Sequence, residues 1–165
     1  MTNSLALTTQ QEAPSAAGEY LSLRLGREAY GINLLNIQEI RRHEPCTEIA
    51  GAAPEVRGVL DLRGEIVPIV DLRCYFNLPQ AVTDETVIVV LKHGAKTVGA
   101  IVDAVSDVQR LSEQQIRPLP PLHAGGLRAD YIRGLAQLDQ DGERRLLILL
   151  DIRPLVNELS SSVVH

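Results

Sequence analysis

Few side chains in this 165-residue chain stand where they could do chemistry. Asp103 and Asp107 would suit an acid–base pair, one carboxylate giving a proton and the other taking it. They sit beside a strand, however, where a solvated rim is the plainer reading. The run DQDGE (Asp139–Glu143) resembles part of a calcium loop, but the later ligands are missing. A tight hairpin turn at Asp141-Gly142 accounts for it more simply. His43, His93, His123 and His165 fall in separate turns and tails, whereas a metal site wants at least two ligands on one local element. There is no GxSxG elbow, HExxH pair, GxxxxGK[ST] loop or GxGxxG turn. Gly-rich HAGGLRAD follows Pro-rich RPLPPL and reads as a loop, not a phosphate cradle. These residues point to no catalytic centre, no metal and no cofactor.

Composition narrows the classes further. Hydrophobic residues make up 45% and charged residues 22%, enough apolar material for a core. A net charge of −5, one Phe, four Tyr and no Trp argue against a nucleic-acid binder, which needs a basic face and stacking rings. No stretch approaches the roughly 20 apolar residues that span a bilayer. The first residues have neither a basic n-region nor an apolar h-region, so no secretory signal is expected. Cys46 and Cys74 lack framework spacing and read as free thiols in a reducing cytoplasm.

The elements that would position any site are short strands. Residues 1–17 read as a flexible tail and 160–165 as a second one. Between them run YLSLRLG, AYGI, IQEIRR, GVLDL, EIVPIV, TVIVVL, TVGAIV, IRGLAQL and RRLLILL, punctuated by Gly and Pro as in an all-β protein. GVLDL and EIVPIV should form a hairpin around Arg63-Gly64. TVIVVL should pair with TVGAIV across residues 92–95, and IRGLAQL with RRLLILL across 139–142. Pro68 lacks an amide hydrogen, so its strand should be an edge there or carry a bulge. Short helices should follow Asp71 and Asp151: Leu72, Tyr75 and Phe76 share one face, as do Ile152, Leu155, Val156 and Leu159, with each Asp as N-cap.

The chain also repeats itself. YGINLLNIQEIRR (Tyr30–Arg42) aligns without a gap to VGAIVDAVSDVQR (Val98–Arg110) at an offset of 99 − 31 = 68. Arg57-Gly58 then meets Arg133-Gly134, and IVDLRCYF meets LLDIRPLV at an offset of 151 − 71 = 80. Two copies of one β-rich unit, about 19–80 and 85–159, are the better reading. Each is near the size where a core is marginal, so the two should share one. TVIVVL and RLLILL are apolar at nearly every position and should lie at the seam.

Four stretches together, YGINLLNIQEIRR, RGVLDLRGEIVPIVDLRCYF, VGAIVDAVSDV and EQQIRPLP, resemble the CheW family of bacterial chemotaxis coupling proteins in order and spacing. The resemblance covers about Glu19–Leu159. It implies one domain over 18–159, all-β with short helices. Two five-stranded, Src-homology-3-like barrels would pack around a shared hydrophobic core and could exchange segments. It implies no enzymatic activity. The expected role is a cytoplasmic adaptor recruited to membrane receptor arrays. It would join the tips of methyl-accepting chemotaxis receptors to the regulatory domain of the histidine kinase CheA. The alternatives are the same coupling role in a surface-motility pathway, or a small β enzyme with a dispersed site.

The resemblance also carries over residues. Ile37, Glu39, Gly58 and Arg63 would form the receptor surface: a helical hairpin in a groove wants an apolar floor and a few charges that set register. Arg63 at a tight turn displays a planar fork to solvent. Arg117 and Leu122, on a Pro-stiffened loop, would meet the kinase domain. Asp61 stands where the family usually has Asn, adding a charge beside Arg63 that can tune partner preference. EIAGAAPEV lacks a Pro often found after its Ile.

Overall fold

Short runs of Val, Ile and Leu broken by Gly and Pro favour short strands joined by tight turns, and the computed structural model, which describes residues 17–120 and 129–164, has that form. The strands are β1 (Gly18–Leu25), β2 (Glu28–Asn33), β3 (Ile37–Arg42), β4 (Val56–Leu62), β5 (Glu65–Asp71), β6 (Val87–His93), β7 (Lys96–Val102), β8 (Ala104–Leu111), β9 (Ile116–Arg117), β10 (Ile132–Gln140) and β11 (Glu143–Leu150). Two α-helices accompany them, α1 (Leu72–Tyr75) and α2 (Arg153–Val164). β8 and the two-residue β9 were not among the expected strands. Helix α2 carries the backbone of 160–164, expected as a tail; no Gly or Pro follows Leu159 to stop it. The expected tail at 1–16 lies outside the described residues.

One sheet has the order β8-β1-β2-β11-β10-β9 and the other β3-β6-β7-β5-β4. Each is a small Src-homology-3-like barrel, the first having six strands instead of five because β9 is added at its edge. The duplication is written into their registers. Parallel pairing sets Gly31 opposite Leu149 in the first sheet and Gly99 opposite Ile69 in the second. Those pairs are related by the two sequence offsets, 99 − 31 = 68 and 149 − 69 = 80. Even the irregularities correspond: the ladder slips between Val56 and Gly58 against β5, and between Ile132 and Gly134 against β11. Each barrel takes the first hairpin of one copy and the last strands of the other, so the copies have exchanged segments.

Apolar side chains fall into three clusters. Leu62, Val67, Ile69, Ile88, Val90 and Ile101 fill the β3–β7 barrel, and Tyr20, Leu111, Ala136, Leu138, Leu147 and Leu149 fill the other. Between them lies the largest cluster, joining Leu23, Ile32, Val70, Leu91, Val102, Leu150 and Val156 among others. There Tyr75 of α1 and Tyr131, just before β10, meet edge to face at 5.4 Å and link the two copies. β6 is buried on both faces, as expected for the seam: Val89 and Leu91 face the shared cluster and Ile88 and Val90 the barrel. β11 departs from that expectation, because its first half lies at a rim and leaves Leu146 51% exposed. β5 is interior to its sheet, not an edge; Pro68 is tolerated because the ladder to β7 begins only at Ile69.

Candidate functional site

The β4–β5 hairpin closes in two residues, with Leu62 opposite Glu65. Such a turn requires left-handed backbone at both positions, and Arg63 has φ 55° and Gly64 φ 89°. For an arginine this costs about 1 kcal/mol or more relative to glycine or asparagine. Asp61 steadies the turn by accepting from the Gly64 amide at 2.7 Å. Its charge therefore serves the turn first, a task that Asn could perform through the same oxygen. Arg63 is 64% exposed and reaches over to β3, where it donates to the Glu39 carboxylate.

Strand β3 presents two faces to this region. It pairs with β6 as Ile37↔Leu91, Glu39↔Val90, Ile40↔Val89 and Arg41↔Ile88, with a slip at Gln38. Directly opposed residues share a face. The slip therefore puts Ile37 and Ile40 on the seam side with Leu91 and Val89, and Glu39 and Arg41 on the barrel side. Ile37 packs partly into the shared core, while Ile40 stays exposed. Ile66, just past the turn, is 61% exposed. The bulge escaped the sequence reading, although the odd spacing of Ile37 and Ile40 is its signature.

Charge on the barrel side is organised as a chain. Arg41 donates to Glu39 at 3.0 Å and to Glu44 at 3.1 Å. Arg63 and then Arg41, by hydrogen bonding, hold the Glu39 carboxyl below the ordinary glutamate range. Arg41 is raised in turn by Glu39 and Glu44. Arg63 uses one of its five donors here and keeps the rest for solvent or a partner. In the duplicate barrel the corresponding positions are Asp107 and Asp141, two carboxylates that cannot pair. The Glu39–Arg63 pair is particular to one barrel.

Gly58 does not belong on the surface. It is buried, with φ 150°, and a Cβ there would lie 2.1 Å from the Thr47 carbonyl oxygen. Its absence of a side chain lets Thr47 and Val59 exchange bonds of 2.9 and 2.8 Å in an isolated bridge. Gly134 performs the same service for β9: a Cβ there would stand 2.7 Å from the Arg117 carbonyl oxygen. Arg117 is exposed on that short strand, opposite Leu135. Leu122 lies outside the described residues. Glu39 and Arg63 are thus brought together, Ile37 lies on the opposite face of β3, Gly58 is buried within β4, and Arg117 lies on the other barrel.

Two further expectations concerned carboxylates and thiols. Asp71 and Asp151 do cap helices, accepting from the amides of Arg73 at 3.0 Å and Arg153 at 3.1 Å. Asp103 is not a solvated rim residue: it accepts from Arg73 at 2.9 Å and from the Gly26 amide at 2.7 Å. Cys46 and Cys74 are free, and burial pushes both thiols up, away from the reactive thiolate. Among the described residues no three His, Cys, Asp or Glu side chains group as a metal site. No helix there is long and apolar enough to cross a membrane.

Two fused, segment-exchanged Src-homology-3-like barrels with an ionic, apolar-flanked face define a double-barrel binding module. The chain belongs to the CheW-like domain family, whose model matches residues 19–160. It is 41% identical over 161 residues to the chemotaxis protein CheW of Klebsiella aerogenes, across 97% of this chain and 94% of that relative. It is 33% identical over 137 residues to the CheW of Bacillus subtilis, across 82% and 84%. The fold matches the crystal structure of the scaffolding protein TtCheW from Thermoanaerobacter tengcongensis with a TM-score of 0.72 at 24% identity, covering 82% of this chain and 89% of that one.

Proposed function

We propose that this protein is a non-catalytic cytoplasmic adaptor that couples chemotaxis receptors to the histidine kinase CheA in membrane receptor arrays. The receptor's helical tip docks against β3 and the β4–β5 turn. Ile37 and Ile40 offer apolar contact and the Glu39–Arg63 pair sets register. Arg117, with Leu122, meets the regulatory domain of the kinase from the other barrel. The observation that carries this reading is the strained, exposed Arg63 held over Glu39, in the one barrel where that pair can form. Strain at a non-glycine turn residue is often kept for function.

The test is a titration with a receptor cytoplasmic fragment, and separately with the CheA regulatory domain. Arg63→Glu should weaken the first by about thirtyfold, the effect of removing an interface anchor of roughly 2 kcal/mol, and leave the second unchanged. Arg117→Glu should do the reverse. Equal loss with both partners would contradict separate surfaces.

A further inference from the structure

The chain passes between the two sheets at two places, related by the internal duplication. It leaves the first sheet after β2, through the turn Leu34–Asn36, and returns to it after β7, through Asp103. Corresponding residues at the crossings are Leu35 and Asp103, since 103 − 35 = 68. One crossing is tied by buried, charge-assisted bonds; the other has only exposed neutral ones, the Asn33 Oδ1 accepting from the Leu35 amide at 2.9 Å and Asn36 Nδ2 donating to the Lys92 carbonyl at 3.3 Å.

At the tied crossing Arg73 is 1% exposed and spends its guanidinium on four bonds. Its Nε and Nη2 each donate to Asp71 at 2.9 Å, which belongs to the second sheet. Its Nη1 donates to Asp103 at 2.9 Å and to the Ala81 carbonyl at 2.5 Å, in the segment that joins the two copies. Asp103 reaches on to the β1–β2 turn of the first sheet: its Oδ2 accepts from the Gly26 amide and its own amide donates to the Arg24 carbonyl at 3.1 Å. A continuous bonded path thus runs from one barrel to the other. The sequence repeats half of it. Asp151 and Arg153 form the same fork, at 2.9 and 2.7 Å. Where Asp103 should have its counterpart stands Leu35, 92% exposed, and Arg153 is left half exposed.

We propose that the Asp71–Arg73–Asp103 path is a clamp that fixes the angle between the barrels, and that the Leu35 crossing is the free side at which that angle changes. The shared apolar cluster resists separation of the barrels but is non-directional, so it tolerates small rotation. Charge-assisted, forked hydrogen bonds do not, because their geometry is specific. A shear motion with one pinned and one loose crossing becomes a hinge. On the adaptor reading, which the clamp itself does not require, that angle sets the spacing of the two partners.

The test is a distance distribution between spin labels at Glu65→Cys and Arg145→Cys, one on each barrel, with Cys46→Ser and Cys74→Ser as background. No partner is added, so failure of the adaptor reading cannot affect the outcome. Asp103→Leu should broaden the distribution about twofold while far-ultraviolet dichroism stays that of a folded β protein. An unchanged width in that folded variant overturns the clamp. Leu35→Asp, which alters only an exposed side chain, tests the free side: a carboxylate at the position that the duplication relates to Asp103 should narrow the distribution and raise Tm. An unchanged width there overturns the assignment of the free side.

Discussion

Arg63 donates to the carboxylate of Glu39 across 24 residues of sequence, from a turn whose left-handed backbone an arginine adopts at a cost. Both side chains retain solvent contact, so the pair itself contributes little to folding. Its value is then mainly in recognition. Arg63→Glu should shift Tm by less than about 4 °C, a change read by thermal denaturation. The same substitution should cost about thirtyfold in affinity for the receptor fragment. A large loss of Tm would show instead that the arginine is structural.

Gly58 behaves oppositely. Gly58→Ala forces a Cβ to within 2.1 Å of a backbone oxygen at positive φ, so the barrel must open at Thr47. The expected loss is about 2–4 kcal/mol in chemical denaturation. Gly134→Ala, with its approach of 2.7 Å to Arg117, should cost less. If Gly58→Ala left stability intact but abolished receptor binding, Gly58 would be a contact after all.

Arg73 is buried with Asp71, each at 1% exposure. Arg73→Met leaves the Asp71 carboxylate without its forked partner in a dry setting. Breaking a buried pair from one side costs about 3–5 kcal/mol. Arg153→Met, at the half-exposed duplicate, should cost about 1 kcal/mol or less. Denaturant midpoints of the two variants, compared at unchanged m, check this. Equal effects would mean that the burial difference between the two forks has no energetic weight.

Acid should weaken the Glu39 cluster in a defined window. Arg63 and Arg41 lower the folded carboxyl below its unfolded value, which is about 4.3. A lowered folded pKa gives stability that is fully present above the unfolded pKa and disappears as pH falls through the folded one. The Tm difference between wild type and Glu39→Gln should therefore be greatest above about pH 5 and shrink toward zero in stronger acid. At Asp151 burial pushes the carboxyl up, but bonds from Arg153 prevail and lower it, so its contribution fades in the same direction. A Glu39→Gln difference that grows at low pH would contradict the pairing.

Strands, hairpins and helix caps were legible because each depends on local chemistry: a glycine at a turn, alternation along a strand, an aspartate before a helix. The duplication was legible because the offsets hold over many residues. Strand exchange is different. β2 pairs with β11 and not with β5, yet both candidates carry the same apolar run, and nothing local distinguishes them. Asp103 was misjudged for a related reason, since its partner Arg73 lies 30 residues away. The candidate residues Ile37, Glu39 and Arg63 were suggested by family motifs, and of these Glu39 and Arg63 pair in the structure. Gly58, expected beside that surface, is buried, since a glycine that admits a neighbouring backbone reads, in one dimension, like one that lies open. The slip at Gln38, which turns Ile37 and Glu39 to opposite faces, was visible only as an odd spacing of isoleucines.

The central claim is coupling, and kinase autophosphorylation in a mixture of receptor cytoplasmic fragments and CheA measures it most directly. Adding the wild-type protein should raise receptor-dependent phosphorylation, and folded Arg63→Glu should not. Cognate components that respond equally with and without the wild-type protein would contradict the adaptor role, and full activation by Arg63→Glu would contradict the face assigned to it.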